Sequence, residues 1–189
     1  YGHAMWRAKD KQLSALERHS INFIDHAPFM TLSTYAASGA LDCSPRGGLP
    51  GFVKVVNENC IIIPDSKGNN RLDSLVNIIE TKQVGCLFLI PGVDETLRIN
   101  GRGRISTSTA HLKQFSHHKN PPKACIEIRI KEVFLHCAKA LMRSKLWSAD
   151  AKLERSKFPT IATMLNDQLC LSEPPESQAT MVARYQQDL

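Results

Sequence analysis

Long apolar runs and paired cysteines are both missing from the sequence. No run approaches the roughly 18 apolar residues that a membrane-spanning helix needs. Charged residues begin at Arg7, so the first residues do not resemble a secretion signal. Six cysteines are present but none forms a Cys-x-x-Cys pair, which is typical of reduced thiols rather than of a disulfide framework. We therefore expect a cytoplasmic protein that has no membrane partner.

Aromatic side chains and metal-ligand spacings are also scarce. Aromatics make up 6% of the chain, whereas proteins that bind single strands stack the bases on exposed aromatic rings. The histidines do not follow the spacing of zinc ligands, so we expect no metal site. The net charge of +6 and the pI near 9.1 nevertheless indicate affinity for an anion. Nucleic acid, a phosphorylated cofactor or no specific ligand would each fit that charge.

The length and composition predict one principal domain. A chain of 189 residues exceeds the roughly 150 residues of a typical domain by little. We assign residues 9–147 to that domain and residues 1–8 to an N-terminal remnant. Residues 148–189, which contain Pro159, Pro174 and Pro175, read as a helical extension and tail.

The apolar pattern predicts a mainly β domain with flanking helices. An amphipathic helix is expected over 9–27, a shorter one over 107–115 and a basic helical segment over 135–147. In 96–106, small glycines alternate with arginines, as in the crowded interior of a small barrel. We therefore expect an antiparallel barrel. The predicted strands are 29–35, 41–44, 52–56, 60–63, 84–90, 96–106 and 124–134.

The stretch 61–80 is the clearest candidate for an anion site. A strand ending at Pro64 leads through a polar loop into a helix whose apolar residues recur at helical spacing. We expect Asn69 or Asn70 to cap that helix and Arg71 to lie beside its N-terminus. A helix start and a guanidinium together suit a phosphate. The alternative is an ordinary capped helix with a surface arginine.

Two further segments have alternative readings. Residues 44–51 contain three glycines and two prolines, so the strand lies at an edge or leaves the sheet there. The glycines would let the backbone approach a flat ligand, or they would simply form a loop. Arg98, Arg102 and Arg104 share one strand face, which is either a nucleic-acid stripe or, as we favour, an ordinary solvated face.

The order of these segments resembles the pyridoxamine 5′-phosphate oxidase-like flavoproteins, whose fold is the FMN-binding split barrel. The resemblance extends over about residues 23–147. The motifs that carry it are Ser44-Pro45-Arg46-Gly47, Ile63-Pro64-Asp65, Gly68-Asn69-Asn70-Arg71-Leu72-Asp73-Ser74, Leu89-Ile90-Pro91-Gly92, Leu97-Arg98-Ile99-Asn100-Gly101 and His136-Cys137-Ala138-Lys139-Ala140-Leu141.

The resemblance implies FMN as the cofactor and a homodimer with FMN near the interface. The phosphate would lie at residues 69–74, and Lys139 and Arg143 would reach the flavin of the partner subunit. Arg46 and Lys139 are the candidates for a cation near the reactive ring, where positive charge favours reduced flavin. The residues implied to bind the cofactor are Ser44, Pro45, Arg46, Gly47, Pro64, Asp65, Asn69, Asn70, Arg71, Ser74, Lys139 and Arg143.

The implied function is that of an FMN-dependent oxidoreductase, which transfers hydride through flavin N5 to or from a small-molecule substrate. Oxidation of pyridoxamine phosphate is not expected, because the arginine-rich C-terminal signature of that enzyme is missing. A flavin-binding carrier or sensor without turnover is the alternative. A basic barrel that binds nucleic acid is the third and least favoured hypothesis.

Overall fold

The computed structural model describes residues 11–188, in which seven strands form one sheet. Every pairing is antiparallel, and the strand order is 2-1-5-6-7-4-3. The second and third strands are the edges, so the sheet does not close on itself. The predicted mainly β, antiparallel architecture is confirmed. The strands are β1 (Phe29–Tyr35), β2 (Leu41–Gly47), β3 (Lys54–Asn57), β4 (Cys60–Pro64), β5 (Gln83–Leu89), β6 (Thr96–Ser106) and β7 (Cys125–His136).

Helices flank this sheet and make up the C-terminal part of the chain. The chain divides into two compact units, Tyr1–Trp147 and Ser148–Leu189. The helices of the first unit are α1 (Arg18–His26), α2 (Asp73–Thr81), α3 (Thr109–Leu112) and α4 (Lys139–Ser144), with a short 3₁₀ turn at Lys113–Phe115. Those of the second are α5 (Ile161–Leu169) and α6 (Gln178–Gln186), with 3₁₀ turns at Ala149–Ala151 and Arg155–Lys157.

The β1–β2 hairpin explains how a proline fits inside the sheet. Gly39 takes a φ of +88° in the connecting turn, a conformation that costs glycine little. Pro45 of β2 lies opposite Thr31 of β1. Among the described strands, β2 pairs with β1 alone. An edge strand tolerates proline because the missing N–H would face away from the ladder. The predicted edge position is therefore correct, although the strand continues to Gly47.

The β6–β7 ladder is the longest in the sheet and is tightly packed on its inner side. A side-chain carbon at Gly101 would collide with the backbone oxygen of Arg129, and one at Gly103 would lie 2.9 Å from Val84. These contacts confirm the crowded interior expected from the glycines. Asn100 pairs with Glu132 and Gly101 with Ile130, so Lys131 is the extra residue of a β-bulge.

Helix α1 is shorter than the pattern predicts. It begins at Arg18, and Glu17 caps it. Leu13 instead forms an isolated antiparallel bridge with Val133, and the residues around it form a turn and bends rather than a helix. The helix predicted from residue 9 is therefore wrong over residues 11–17, and residues 9 and 10 lie outside the described part.

Helix α2 buries a different set of residues from its apolar stripe, which the sequence places at Leu72, Leu75, Val76 and Ile79. Leu75 packs partly buried against the core, but the other three are about half exposed or more. Ser74, Asn77 and Ile78 are buried instead. The buried polar pair is possible because both side chains hydrogen-bond to residues of the β1–β2 hairpin.

The main core lies between the inner face of the sheet and helices α1 and α2. It includes fully buried residues of β1, β4, β6 and β7, such as Met30, Ile61, Leu97 and Ile128. A smaller cluster of Ile62, Phe115 and Cys125 lies on the other face. After the exposed Gln83, the side chains of β5 alternate between buried and half-buried.

Candidate functional site

Strand β2 places three polar side chains on one face of the sheet. Because side chains alternate along a strand, Asp42, Ser44 and Arg46 all point the same way. Their cross-strand partners in β1 are Thr34, Leu32 and Met30, which are buried in the core. The three polar groups therefore lie on the inner side of the edge, where α2 also packs.

A chain of hydrogen bonds joins β2 to the first turn of α2. The Ser74 hydroxyl donates to Asp42 Oδ2 at 2.6 Å, so it accepts from the Ser44 hydroxyl at 2.9 Å. Arg46 donates to Ser44 Oγ at 2.9 Å and to Ser74 Oγ at 3.2 Å. These bonds run from the guanidinium through two serines to the carboxylate, and they fix the position of all four side chains.

Two buried polar groups support the carboxylate from the other side. Thr34 donates from its hydroxyl to Asp42 Oδ2 at 3.2 Å, and Asn77 donates to Thr34 Oγ1 at 3.0 Å. Thr34 is 3% exposed and Asn77 is 7% exposed. Asp42 is therefore held by two hydroxyl donors, which disperse its negative charge beside Arg46.

Arg46 keeps free hydrogen-bonding capacity at the centre of this cluster. Its third bond goes to the backbone oxygen of Pro45 at 2.8 Å, so three of the five N–H groups of the guanidinium are used. Burial raises the pKa of Asp65, and the positive charge of Arg46 acts in the opposite direction. Burial raises the pKa of Cys86 to about 12 despite the same cation, so that thiol is no nucleophile.

The N-terminus of α2 is not capped by any side chain. The other three nine-residue helices are capped, α1 by Glu17, α5 by Thr160 and α6 by Ser177. Leu72 occupies the cap position of α2 and has no acceptor to offer. The first N–H groups of α2 are thus available to an external acceptor next to Arg46.

The predicted asparagine cap is wrong, and Arg71 lies one residue before the cap position of α2. Asn69 accepts from the backbone N–H of Arg71 at 3.0 Å, in a turn that precedes the helix. Asn70 has a φ of +59°, which belongs to that turn. Arg71 is paired with Asp73, and 77% of its side chain is exposed. It lies near the site but outside the network of Arg46.

The remaining predicted residues fall into two groups. Pro45 and Gly47 are exposed in β2, while Pro64 ends β4 and Asp65 follows it half-buried. Within residues 11–188, no hydrogen bond or ion pair connects α4 to the Arg46 cluster. That helix carries the two predicted cations Lys139 and Arg143, both exposed.

The structure also places His136 and the three arginines of β6, Arg98, Arg102 and Arg104. Burial lowers the pKa of His136, and the positive charges of Arg98 and Lys11 lower it further. The Arg98 guanidinium stacks 4.0 Å above the Phe134 ring, whereas Arg102 is exposed and Arg104 pairs with Glu127. The three arginines therefore do not form a uniform basic stripe.

Sequence reasoning missed the members of the network that do not carry a motif. Asp42 could have been found from the alternation of β2, since it lies two residues before Ser44. Asn77 follows Ser74 by three residues and so lies on the same helix face. Thr34 carried no signal, because a threonine in a strand is ordinary.

Some kinds of site are not found in the described part of the chain. No group of three or more His, Cys, Asp or Glu side chains there is arranged to hold a metal ion. No helix among residues 11–188 is both long and apolar enough to cross a membrane.

The antiparallel sheet and its flanking helices have the architecture of a split barrel. The sequence model of the pyridoxamine 5′-phosphate oxidase family matches residues 16–137, which is more than half of the chain. The chain therefore belongs to the pyridoxamine 5′-phosphate oxidase family. The match begins just before α1 and ends just after β7, so it covers the whole sheet. The resemblance stated from the motifs is confirmed.

Solved structures support the fold. HupZ from Group A Streptococcus is 16% identical, with a TM-score of 0.53, and the match covers 64% of this chain and 93% of HupZ. A candidate pyridoxamine 5′-phosphate oxidase from Lactobacillus delbrueckii is 18% identical, with a TM-score of 0.50, and the match covers 66% and 98%. No curated protein matches the chain. At these identities the similarity describes the fold.

Proposed function

We propose that the chain binds FMN and that the FMN phosphate lies between Arg46, Ser44 and the open N-terminus of α2. The uncapped helix start beside a fixed guanidinium is the observation that carries this proposal. Backbone N–H groups and an arginine are donors that phosphate sites use. The donor set therefore fits the cofactor that the family implies.

Arg46 rather than Arg71 is the principal cation of this proposed site. A hydrogen bond to a charged group contributes about 1.5–3 kcal/mol, against about 0.3–1 kcal/mol for the helix dipole. Arg46 is half-buried, and Ser44 and Ser74 hold its guanidinium in place. The side chain therefore loses little conformational entropy when the phosphate binds. Arg71 is exposed and engaged with Asp73, and water screens its charge.

The other predicted ligands complete the proposal. Asp65 and Pro64 at the end of β4 would lie along the ribityl chain, and the exposed edge of β2 would face the ring. We further propose a homodimer in which Lys139 and Arg143 contact the flavin of the partner subunit. Their exposure on α4 leaves both side chains available to a second copy.

The proposed activity is that of an FMN-dependent oxidoreductase acting on a small molecule. Bound FMN would supply the two-electron chemistry, while the chain supplies binding, orientation and positive charge. Arg46 and Lys139 remain the candidates for the cation that favours reduced flavin. A flavin carrier or sensor would need the same binding site but no substrate.

Flavin titration of the purified protein tests the proposal. We expect the protein to bind FMN and to hold it more tightly than riboflavin, which has the same ring and no phosphate. Equal affinity for the two flavins, or binding of neither, would overturn the phosphate assignment. Reduction by a nicotinamide cofactor, followed by reoxidation by an added organic acceptor, would support the oxidoreductase. A bound flavin that no added donor or acceptor changes would support the carrier.

A further inference from the structure

The face of the sheet opposite the Arg46 cluster carries an unusual pair of like charges. Arg102 in β6 and Arg129 in β7 lie directly opposite each other, and both are exposed. Like charges in direct cross-strand pairs are destabilising. Among residues 11–188, Arg102 has no acidic partner within ion-pair distance, and Arg129 is only 3.8 Å from the nearest carboxylate oxygen. Such an arrangement is relieved when an anion binds.

The nearest carboxylate belongs to Glu127, which is 3% exposed. Its Oε2 accepts from Arg104 at 2.7 Å and lies 3.6 Å from Nδ1 of His111. Its Oε1 accepts no hydrogen bond from the described residues and is 3.8 Å from Nε of Arg129. A carboxylate oxygen that has unused acceptor capacity and opens to the outside can accept from a donor group on a ligand.

A cavity of about 460 Å³ is lined by Glu127 and Arg129, while Arg102 lies outside it. That volume is within the usual range for small-molecule sites. Strands β3, β4, β6 and β7 supply most of its walls, and His111 of α3 supplies one side. Arg104, Arg129 and Lys131 give it three positive charges against the single negative charge of Glu127. The balance favours an anionic occupant.

The thiol in this cavity does not point to covalent chemistry. Burial raises the pKa of Cys60, the negative charge of Glu127 raises it further, and the two arginines oppose both effects. The thiol is therefore protonated at neutral pH and a poor nucleophile. Recognition rather than reaction is the role that these side chains support.

We propose that this cavity is a second small-molecule site, which binds a phosphate monoester that also carries an ammonium or N–H donor. The phosphate contacts Arg129, with Lys131 beside it, and the donor bonds to Oε1 of Glu127. The site is independent of the proposed flavin site. Its strand residues alternate with the core residues Ile126 and Ile128, so they lie on the other face of the sheet.

Calorimetric titration with matched probes tests this second site. Phosphoethanolamine carries both groups, ethyl phosphate lacks the ammonium, and inorganic phosphate lacks the organic part. The variants are Arg129→Gln, Glu127→Gln and the control Lys152→Gln, which removes the same charge as the first from an exposed residue of the other unit.

The expected pattern is specific to this geometry. The parent protein and the Lys152→Gln control should bind phosphoethanolamine at least about tenfold more tightly than ethyl phosphate, because the ammonium forms a charged hydrogen bond. Arg129→Gln should weaken both organic phosphates about tenfold, and Glu127→Gln should remove the preference between them. Arg129 is exposed, so its variant tests the site even if Glu127→Gln does not fold.

Three results would overturn the proposal. One is equal binding of phosphoethanolamine and ethyl phosphate by the parent protein, or binding of neither. Another is unchanged affinity for phosphoethanolamine in Arg129→Gln, which would place the bound molecule elsewhere on the chain. Inorganic phosphate binding as tightly as phosphoethanolamine would show a simple anion site and would also contradict the proposal.

Discussion

Helices α1 and α2 are both nine residues long and both pack against the same core, yet they begin in opposite ways. Glu17 closes the start of α1, since its carboxylate accepts from the N–H groups of His19 and Ser20 at 2.7 Å. Leu72 at the start of α2 offers no side-chain acceptor, and the only acidic residue of that first turn, Asp73, pairs with Arg71. The first N–H groups of α1 are therefore bonded to a side-chain cap, whereas those of α2 have no side-chain cap.

This difference separates a structural helix start from a binding one. A side-chain cap stabilises a helix by about 1 kcal/mol, so its absence at α2 lowers stability unless a ligand replaces it. The arginine beside α2 would be costly without a counter-charge, and Asp42 supplies only part of that. The comparison leads to four predictions, which follow from the largest expected effect to the smallest.

Arg46→Gln should weaken FMN binding about 10- to 150-fold, because it removes a charged hydrogen bond to the phosphate. Riboflavin binding should change little, since riboflavin has no phosphate. Fluorescence titration with both flavins measures the two affinities. A parallel loss for FMN and riboflavin would mean that Arg46 supports the ring or the fold rather than the phosphate.

Glu17→Ala should lower the stability of the protein by about 1 kcal/mol through loss of the α1 cap, with no change in FMN affinity. Burial pushes the pKa of Glu17 up, but hydrogen bonds from His19 and Ser20 outweigh it and leave the pKa below its ordinary value. The stabilisation is therefore present above the ordinary pKa and is lost as the pH falls through the lowered one. Urea unfolding at neutral and acidic pH should show a smaller pH dependence in the variant.

Leu72→Asp should make the start of α2 resemble that of α1. The added carboxylate would compete with the FMN phosphate for the first N–H groups and repel it, so FMN affinity should fall about two- to fivefold. Leu72 is 54% exposed, so the substitution costs little packing. Leu72→Asn is the neutral control, and an equal loss in both variants would show that shape rather than charge is responsible.

Arg71→Gln should change FMN affinity least, by less than about threefold. Its guanidinium is exposed and paired with Asp73, so it is largely screened. The same titration measures it beside Arg46→Gln. A loss as large as that of Arg46→Gln would restore Arg71 as the main phosphate ligand.

Much of the sheet could be predicted from the sequence, because alternation in strands is a local signal. The bounds of β1 and β6 agree with the prediction, and the edge position of β2 followed from Pro45. The helices were harder. In α2 three residues of the apolar stripe, Leu72, Val76 and Ile79, are exposed, and the polar residues Ser74 and Asn77 are buried. Their hydrogen bonds to β1 and β2 decide which face packs, and helical periodicity does not contain those partners.

The candidate sites also differ in how far local sequence predicts them. Arg46 and Ser44 could be named from a motif, whereas Asp42, which orients Ser74, had no motif of its own. The charged cavity around Glu127 was invisible in the sequence, because its walls come from four strands and α3. Long-range contacts of that kind depend on strand order and register, which composition and spacing do not specify.

A crystal structure of the protein with FMN tests the central claim most directly, since it locates the phosphorus atom. The proposal predicts phosphate oxygens within hydrogen-bond distance of Arg46 and of backbone N–H groups in the first turn of α2. A phosphate bound away from both, with Arg46 still bonded only to Ser44, Ser74 and Pro45, would contradict it.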